Sequence, residues 1–466
     1  MTKASIKLLV TSLLFACLSS TAQDTALVLS KDAFLSVLRA YHPVLKQADL
    51  QVRRAGANVL QARGAFDPRL EAGLDRKTFD GKLYYSYFNP QLTIPTWYGI
   101  DIKAGTEEII GDRVTSEATL GRTSYIGVKV PANNLFFDSR RATLKQAQAL
   151  RQVSEAERAL VLNDLLFDAI SAYWNWVREY LLYQTISETV KVNEERMRFV
   201  VTEFEQGNRA AIDTTEALTQ LQGFYLQQNN AWLSFRNAGL ELSNYLWREA
   251  NQPFQWSEYI TPPKTALAEV SEIPVLEQLI RDAADKHPKL LATRLKGDVL
   301  ETEQRLKAQY LSPKLSLNAN LLNKGYSVPE QISVPLLENN YKLGVEFSVP
   351  LFLRDARGAY QSTRLKRQEN MLEQDRLSLQ IQNKVTAYYN EVIQLRQQLD
   401  MYEQALENNR RLFLGERLRF EVGESTLFVL NARENKVLET MQKLTELRAK
   451  WQKSYAALLW AAGVLE

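Results

Sequence analysis

Apolar residues recur every seven positions along two long stretches of the chain, a pattern typical of coiled-coil helices. In the second stretch, from Ala359 to Glu421, there is no proline, and only Gly415 departs from a helix-forming composition. This stretch predicts one helix of about 60 residues, about 90 Å long. The positions in register are Val153, Leu160, Phe167, Trp174 and Leu181 in the first stretch, and Val385, Val392, Leu399, Leu406, Phe413 and Phe420 in the second.

Three shorter segments alternate apolar and polar residues, as expected of β-strands with one apolar face. The segments are 70–75, 315–321 and 341–349. The third is about as long as the 9 to 11 residues that a strand needs to cross a membrane. The alternation fits either a half-buried strand of a soluble protein or a barrel strand between lipid and water.

The stretch 77–122 extends the first strand region and is rich in aromatic residues, among them Tyr84, Tyr85, Trp97 and Tyr98. Aromatic residues concentrate where a membrane barrel meets the lipid interface. The stretch is therefore interpreted as an elaborated hairpin with a long surface loop. An aromatic core in a soluble β-subdomain is the alternative.

Four landmarks occur twice in the same order, which indicates an internal duplication. Pro68 follows Pro43 by 25 positions, and Pro313 follows Pro288 by the same 25 positions. The pairs are His42-Pro43 and His287-Pro288, Pro68 and Pro313, Gly127–Pro131 and Gly344–Pro350, and Phe204–Gly207 and Phe420–Gly423.

The duplication predicts two structural repeats, 23–250 and 272–466, joined by a linker, 251–271. Each repeat is expected to contain a helix, a β-hairpin and a long helical hairpin. The predicted strand hairpins cover about 68–131 and 313–350, and the predicted helical hairpins cover 137–249 and 357–462.

Residues 1–22 have the pattern of a signal peptide, which predicts export. Lys3 and Lys7 precede an apolar run, Leu8–Leu18, and small residues end at Ala22. The only cysteine, Cys17, lies inside this segment, so the mature protein is expected to have no disulfide. Lipidation of Cys17 is the alternative, although the bulky Phe15 argues against a lipobox.

Over essentially all of the mature sequence, these ordered landmarks resemble the TolC outer-membrane efflux family. The entries into strands at Pro68 and Pro313 match, as do the strand-to-helix junctions at Pro131 and Pro350. The resemblance implies an α+β membrane protein that forms a homotrimer. Each subunit would give four strands to a twelve-stranded outer-membrane barrel, and its coiled-coil helices would form a periplasmic α-barrel.

Proteins of this family are passive exit ducts of tripartite efflux or type I secretion systems. The resemblance therefore implies two partners, a periplasmic adaptor and an inner-membrane pump, in addition to outer-membrane lipid. The adaptor would dock on the turns at the helical tips, which are Gly207, Asn208, Arg209, Gly423, Glu424 and Ser425.

The periplasmic entrance is expected to depart from the family pattern. Where well-known members carry two aspartates in the second tip, this sequence has Phe428 and Asn431. Asp213, in the first tip, matches an acidic family position. These three residues are the predicted gate, less acidic than the family prototype. Phe428 could form a hydrophobic constriction or could simply pack the hairpin tip.

Composition and charge point to no other chemistry. The net charge is +3, which gives no sign of nucleic-acid binding. His42 and His287 each precede a proline, where helix capping is a simpler role than metal binding or catalysis. There is no phosphate-binding loop motif. We therefore expect no enzyme activity, no cofactor and no metal. A soluble periplasmic coiled-coil adaptor or scaffold is the alternative function.

Overall fold

The computed structural model describes residues 27–112, 120–131, 137–263, 265–267, 271–324 and 340–465. The predicted signal peptide, including Cys17, lies outside these residues. The described part is mostly helical and contains one large antiparallel sheet. None of its helices has the length and apolar character that a bilayer crossing requires.

The two halves follow the same series of helices. Each series has a helix of 11 residues, a helix of 21 or 22 residues, a helix of 67 or 68 residues and a closing helix of 33 or 36 residues. The longest helices would each extend about 100 Å. The elements are α1 (Lys31–Tyr41), α2 (Pro43–Arg63), α3 (Ser139–Glu205) and α4 (Ala211–Ser243), then α5 (Leu276–Lys286), α6 (Pro288–Gln309), α7 (Arg354–Glu421) and α8 (Leu427–Ala462).

A histidine caps the second helix of each half, as the sequence predicts. Nδ1 of His42 accepts a hydrogen bond from the backbone N–H of Val44 at 3.3 Å. Nδ1 of His287 accepts the equivalent bond from Lys289 at 3.2 Å. The proline after each histidine begins the helix, where a missing N–H leaves no helical bond unmade.

Two large apolar cores, with three smaller clusters in the described residues, hold the helices together. One lies around α3, where Trp176 and Tyr173 are buried with Phe34 of α1. The other lies between α7 and α8 and includes Trp451. The heptad positions of α7 form much of this second core, because Val385, Val392, Leu399 and Leu406 are all buried in it.

Six strands form one sheet in which every neighbouring pair is antiparallel. Its order is β6–β5–β4–β3–β2–β1. The first repeat supplies four strands and the second supplies two, and the repeats join where β4 pairs with β5. The strands are β1 (Arg69–Phe79), β2 (Lys82–Pro95), β3 (Asp101–Ile110), β4 (Gly121–Pro131), β5 (Lys314–Lys324) and β6 (Tyr341–Ser348).

The prediction of a single hairpin in the first repeat is therefore wrong. The stretch interpreted as an elaborated loop supplies two complete strands, β2 and β3. Pro90 lies inside β2 and interrupts its pairing with β3, since proline cannot donate a ladder hydrogen bond. Asp80 and Gly81, with φ of 51° and 72°, form a two-residue turn of the kind that joins adjacent strands.

Candidate functional site

One face of the six-stranded sheet is apolar and exposed along all six strands. Leu70 of β1 is 79% exposed, and Leu343 of β6 is 65% exposed. Soluble proteins rarely leave so continuous an apolar surface uncovered. The face comprises Leu70, Ala72, Leu74, Phe88, Leu92, Ile94, Ile102, Ala104, Ile126, Val128, Val130, Leu315, Leu317, Ala319, Leu321, Tyr341, Leu343, Val345 and Phe347.

The opposite face is mostly polar, and its side chains shield one another. Tyr125 of β4 is only 6% exposed and lies across Gly105 of β3, where any Cβ would collide with the tyrosine ring. Its hydroxyl bonds to the side-chain oxygens of Asn89 at 3.1 Å and Gln91 at 2.9 Å on β2. Polar side chains of β4 and β2 are thus bonded to each other across β3 on this face.

A charged cluster attaches the sheet to the long helix α3. The Arg140 guanidinium donates to Asp101, at the start of β3, at 2.7 Å and to Asp138 at 2.9 Å. The Arg140 guanidinium also lies over the Phe66 ring, which stacks on Trp97 at 5.2 Å between ring centroids. The turn between β2 and β3 is therefore held at the helical end of the sheet.

The four predicted junction prolines lie where strands and helices meet. Pro68 and Pro313 immediately precede β1 and β5. Pro131 is the last residue of β4, and Pro350 comes two residues after β6. All four therefore lie at the same end of the sheet, the end nearest the helices.

The helical tips, residues 206–210 and 422–426, have the same backbone geometry in both repeats. Gly207 and Gly423 adopt φ of +79° and +82°, which non-glycine residues rarely adopt. The next residue in each tip, Asn208 or Glu424, donates its N–H back to a carbonyl of the preceding helix. This closes the helix end and makes the tips compact.

Two of the three predicted gate residues lie at the surface of the tips. A guanidinium nitrogen of Arg209 lies 3.9 Å from a carboxylate oxygen of Asp213, and the guanidinium covers the Phe420 ring at 4.0 Å. Phe428, in the first turn of α8, is 69% exposed. The aromatic ring of Phe428 is therefore available to solvent or to a neighbouring chain.

The third predicted gate residue, Asn431, is buried between the two helical hairpins. Its amide donates to Glu216 of α4 at 3.1 Å, and its oxygen accepts from Arg196 of α3 at 3.3 Å. Arg196 also makes two bonds to Glu434 of α8, at 2.5 and 2.8 Å. We call Arg196, Glu216, Asn431 and Glu434 the interhairpin cluster, because they join α3, α4 and α8.

The model of the outer membrane efflux protein family matches residues 279–464, most of the second repeat. The resemblance to TolC-type efflux proteins is confirmed. No curated protein sequence matches the chain significantly.

Solved outer-membrane efflux channels share the fold over nearly the whole chain. The Campylobacter jejuni CmeC channel has 13% identity and a TM-score of 0.64, covering 93% of this chain and 86% of its own. The Vibrio cholerae outer membrane protein VceC has 14% identity and a TM-score of 0.64, covering 93% and 95%. The open state of the Neisseria gonorrhoeae MtrE channel has 14% identity and a TM-score of 0.67, covering 96% and 94%.

The charged pairs that hold the candidate surfaces in place could not be identified from the sequence. Arg140 and Asp101 are 39 positions apart, and Arg196 and Glu434 are 238 apart. In a chain with 57 basic and 54 acidic residues, such long-range pairs have no local signature. Among the described residues, no group of His, Cys, Asp and Glu side chains is arranged to hold a metal ion.

Proposed function

We propose that this protein is a passive outer-membrane channel, the exit duct of a tripartite efflux or type I secretion system. The sheet carries the proposal, because its apolar face is exposed on all six strands while Thr123 and Tyr125 in the middle of its polar face are buried. A sheet that folds in water places its apolar face inside. The opposite arrangement suits a barrel wall with lipid outside and water inside.

The long helices supply the second part of the proposed duct. Helices of about 100 Å reach far beyond a membrane about 40 Å thick. They leave the helical end of the sheet together and would extend into the periplasm as a tunnel. One chain cannot close such a tunnel, so we propose a homotrimer.

The partners are proposed from the same arrangement. The compact tips would dock on a periplasmic adaptor, which connects them to an inner-membrane pump that supplies the energy. The tip residues proposed for this contact are Gly207, Asn208, Arg209, Gly423, Glu424 and Ser425. Export through the signal peptide would bring the chain to the outer membrane.

For the entrance, we propose that Asp213 and Phe428 face the passage and that Asn431 acts from inside the wall. Asn431 is 6% exposed and bonded to two helices, so it would influence the entrance by holding the hairpins together. In planar bilayers, Asp213→Asn should weaken cation preference, whereas Asn431→Asp should chiefly change how readily the channel opens. Unchanged conductance and cation preference in both variants would contradict the assignment.

Membrane fractionation tests the function directly. We expect the protein in the outer-membrane fraction, extractable by detergent as an oligomer that dissociates on heating, and conducting ions when reconstituted. A soluble monomer in the periplasm would overturn the proposal and favour an adaptor or scaffold.

A further inference from the structure

We infer that three copies of this chain close an eighteen-stranded barrel, in which β1 of one subunit pairs with β6 of the next. The inference rests on the proposed trimeric channel. It departs from the twelve strands that the family resemblance implies, because the sheet of one chain already contains six.

The two inserted strands belong to the wall itself. β2 pairs with β1 from one end of β1 to the other, with one bulge, and β3 pairs with β4 through nine consecutive residues. Both strands continue the exposed apolar face, through Leu92 and Ile94 on β2 and Ile102 on β3. A four-stranded contribution would require β1 to pair directly with β4, with β2 and β3 expelled from between them.

The two edge strands of the sheet, β1 and β6, have the directions needed to pair between subunits. The strands alternate in direction, and their number is even, so β1 of one copy and β6 of the next are antiparallel. β1 has 11 residues, enough to cross a membrane, and β6 has 8, one short of the usual minimum. In lipid, unpaired backbone groups at these edges have no water to bond, so the edges must be paired.

The register of this subunit contact follows from the ends of the strands. Within one chain, a line of directly paired residues runs from Lys342 on β6 to Arg69 on β1. The helical end of β6 is Ser348, six residues beyond Lys342. If the helical ends of β6 and of the partner's β1 lie at the same height, Ser348 lies beside Arg69 of the partner subunit. The strand register then shifts by six residues for every six strands around the barrel.

That shift gives an ordinary barrel. With a rise of about 3.3 Å per residue and a strand spacing of about 4.8 Å, the strands would tilt by about 35°. Barrel strands typically tilt by about 35 to 45°. The same spacing and tilt give a backbone diameter of roughly 34 Å for eighteen strands and roughly 23 Å for twelve.

The register also places Gly73 directly beside Gly344 of the partner subunit, with both facing the polar side. Neither glycine has close neighbours that a side chain would meet, since only an ordinary 3.8 Å contact lies near Gly344. On the same face, Lys342 lies beside Asp75 of the partner subunit and Glu346 lies beside Glu71 of the partner subunit, so one cross-subunit pair has opposite charges and one has like charges.

A double variant, Gly73→Cys with Gly344→Cys, tests the contact in outer membranes. Oxidation should give covalent trimers on non-reducing gels, whereas either single variant should give none. The matched control combines Gly73→Cys with Val345→Cys and leaves Gly344 unchanged. Residue 345 is one position away and lies on the opposite face, so this variant should not cross-link.

Electron microscopy of the detergent-extracted oligomer counts the strands independently. Eighteen wall strands with cross-linking at Gly73 and Gly344 support the inference. A twelve-stranded membrane trimer with β2 and β3 outside the wall would overturn it and leave the channel proposal standing. A soluble monomer would overturn both.

Discussion

At the scale of single residues, the end of α8 is packed against the capping histidine of α6. Gly463 ends α8 with φ of +72°. A Cβ built there would lie 2.8 Å from Pro288 and 3.0 Å from the ring of His287. The C-terminal helix and the start of α6 can approach this closely only because position 463 has no side chain.

Gly463→Ala should therefore lower the free energy of unfolding by at least about 1 kcal/mol, from backbone strain and collision together. Thermal unfolding of the detergent-extracted protein measures the loss. Gly415→Ala is the matched control, because Gly415 lies inside α7 with nothing within 4 Å of the new Cβ. That change should stabilise the helix by about 0.5 to 1 kcal/mol. Equal effects of the two changes would contradict this account.

The burial of the His287 imidazole makes the free energy of unfolding depend on pH. Burial, with a smaller contribution from the charge of Lys289, lowers the pKa of His287 from its ordinary 6.5 to about 4. Between these values the unfolded chain binds a proton that the folded chain does not, so folding stability falls as pH falls. The loss from pH 6.5 to pH 5 should be about 1.5 kcal/mol.

His287→Asn should remove this part of the pH dependence, because asparagine can still cap α6 but does not titrate. Unfolding of the wild type and the variant at pH 6.5 and pH 5 measures the difference. The pKa of His42 is also lowered by burial, so some pH dependence should remain in His287→Asn. An unchanged pH dependence in the variant would rule out His287 as a source.

At the scale of helices and strands, the interhairpin cluster is a largely buried polar link between the two helical hairpins near the tips. The side chains of Arg196 and Glu434 are only 12% and 11% exposed. Removing one partner of a buried ion pair leaves the other charge uncompensated, at a cost of about 3 to 5 kcal/mol. The cluster should therefore keep the hairpins closed against each other.

Glu434→Ala should lower the unfolding temperature and increase the open fraction of single channels in planar bilayers. Glu439→Ala is the control, because its partner Lys436 is on the same helix and both side chains are more than half exposed. Exposed pairs of this kind contribute at most about 0.5 kcal/mol. If both variants opened equally often, the cluster would not be a link that restrains opening.

The inserted strands allow a test at the same scale. Deleting residues 82–119 removes β2, β3 and the segment after them, and joins the turn at Gly81 to β4. Because β1 and β4 run in opposite directions in the sheet, they can pair directly as one hairpin, and a four-stranded sheet should result. We expect a trimer of smaller barrel diameter by electron microscopy. A barrel of unchanged diameter would show that the deleted strands do not contribute to the wall.

At the scale of the whole molecule, periodicity predicted the long helices because their heptads are uninterrupted, as from Val385 to Leu406. The count of strands differs from the prediction, which was four per subunit, because the sheet contains six. Ile102 and Ala104 do alternate with polar residues, but Pro90 and a dense set of aromatic residues masked the neighbouring strand. The turn at Asp80 and Gly81 was the one local signal that could have revealed it.

The placement of the gate residues depended on tertiary packing. Asn431 and Phe428 are three positions apart on one helix, yet one is buried and the other exposed. The difference is set by Glu216 and Arg196, which approach Asn431 from other helices. No sequence pattern within α8 contains those partners.

The uneven division of strands, four from the first repeat and two from the second, has a consequence for biogenesis. In the proposed channel, four of the six wall strands would be made before the second half of the chain. The β1 edge would then have no partner until the last strands of a neighbouring chain arrived. Insertion and oligomerisation would therefore be a single event, and a chain that lacked companions would remain a substrate for periplasmic chaperones and proteases.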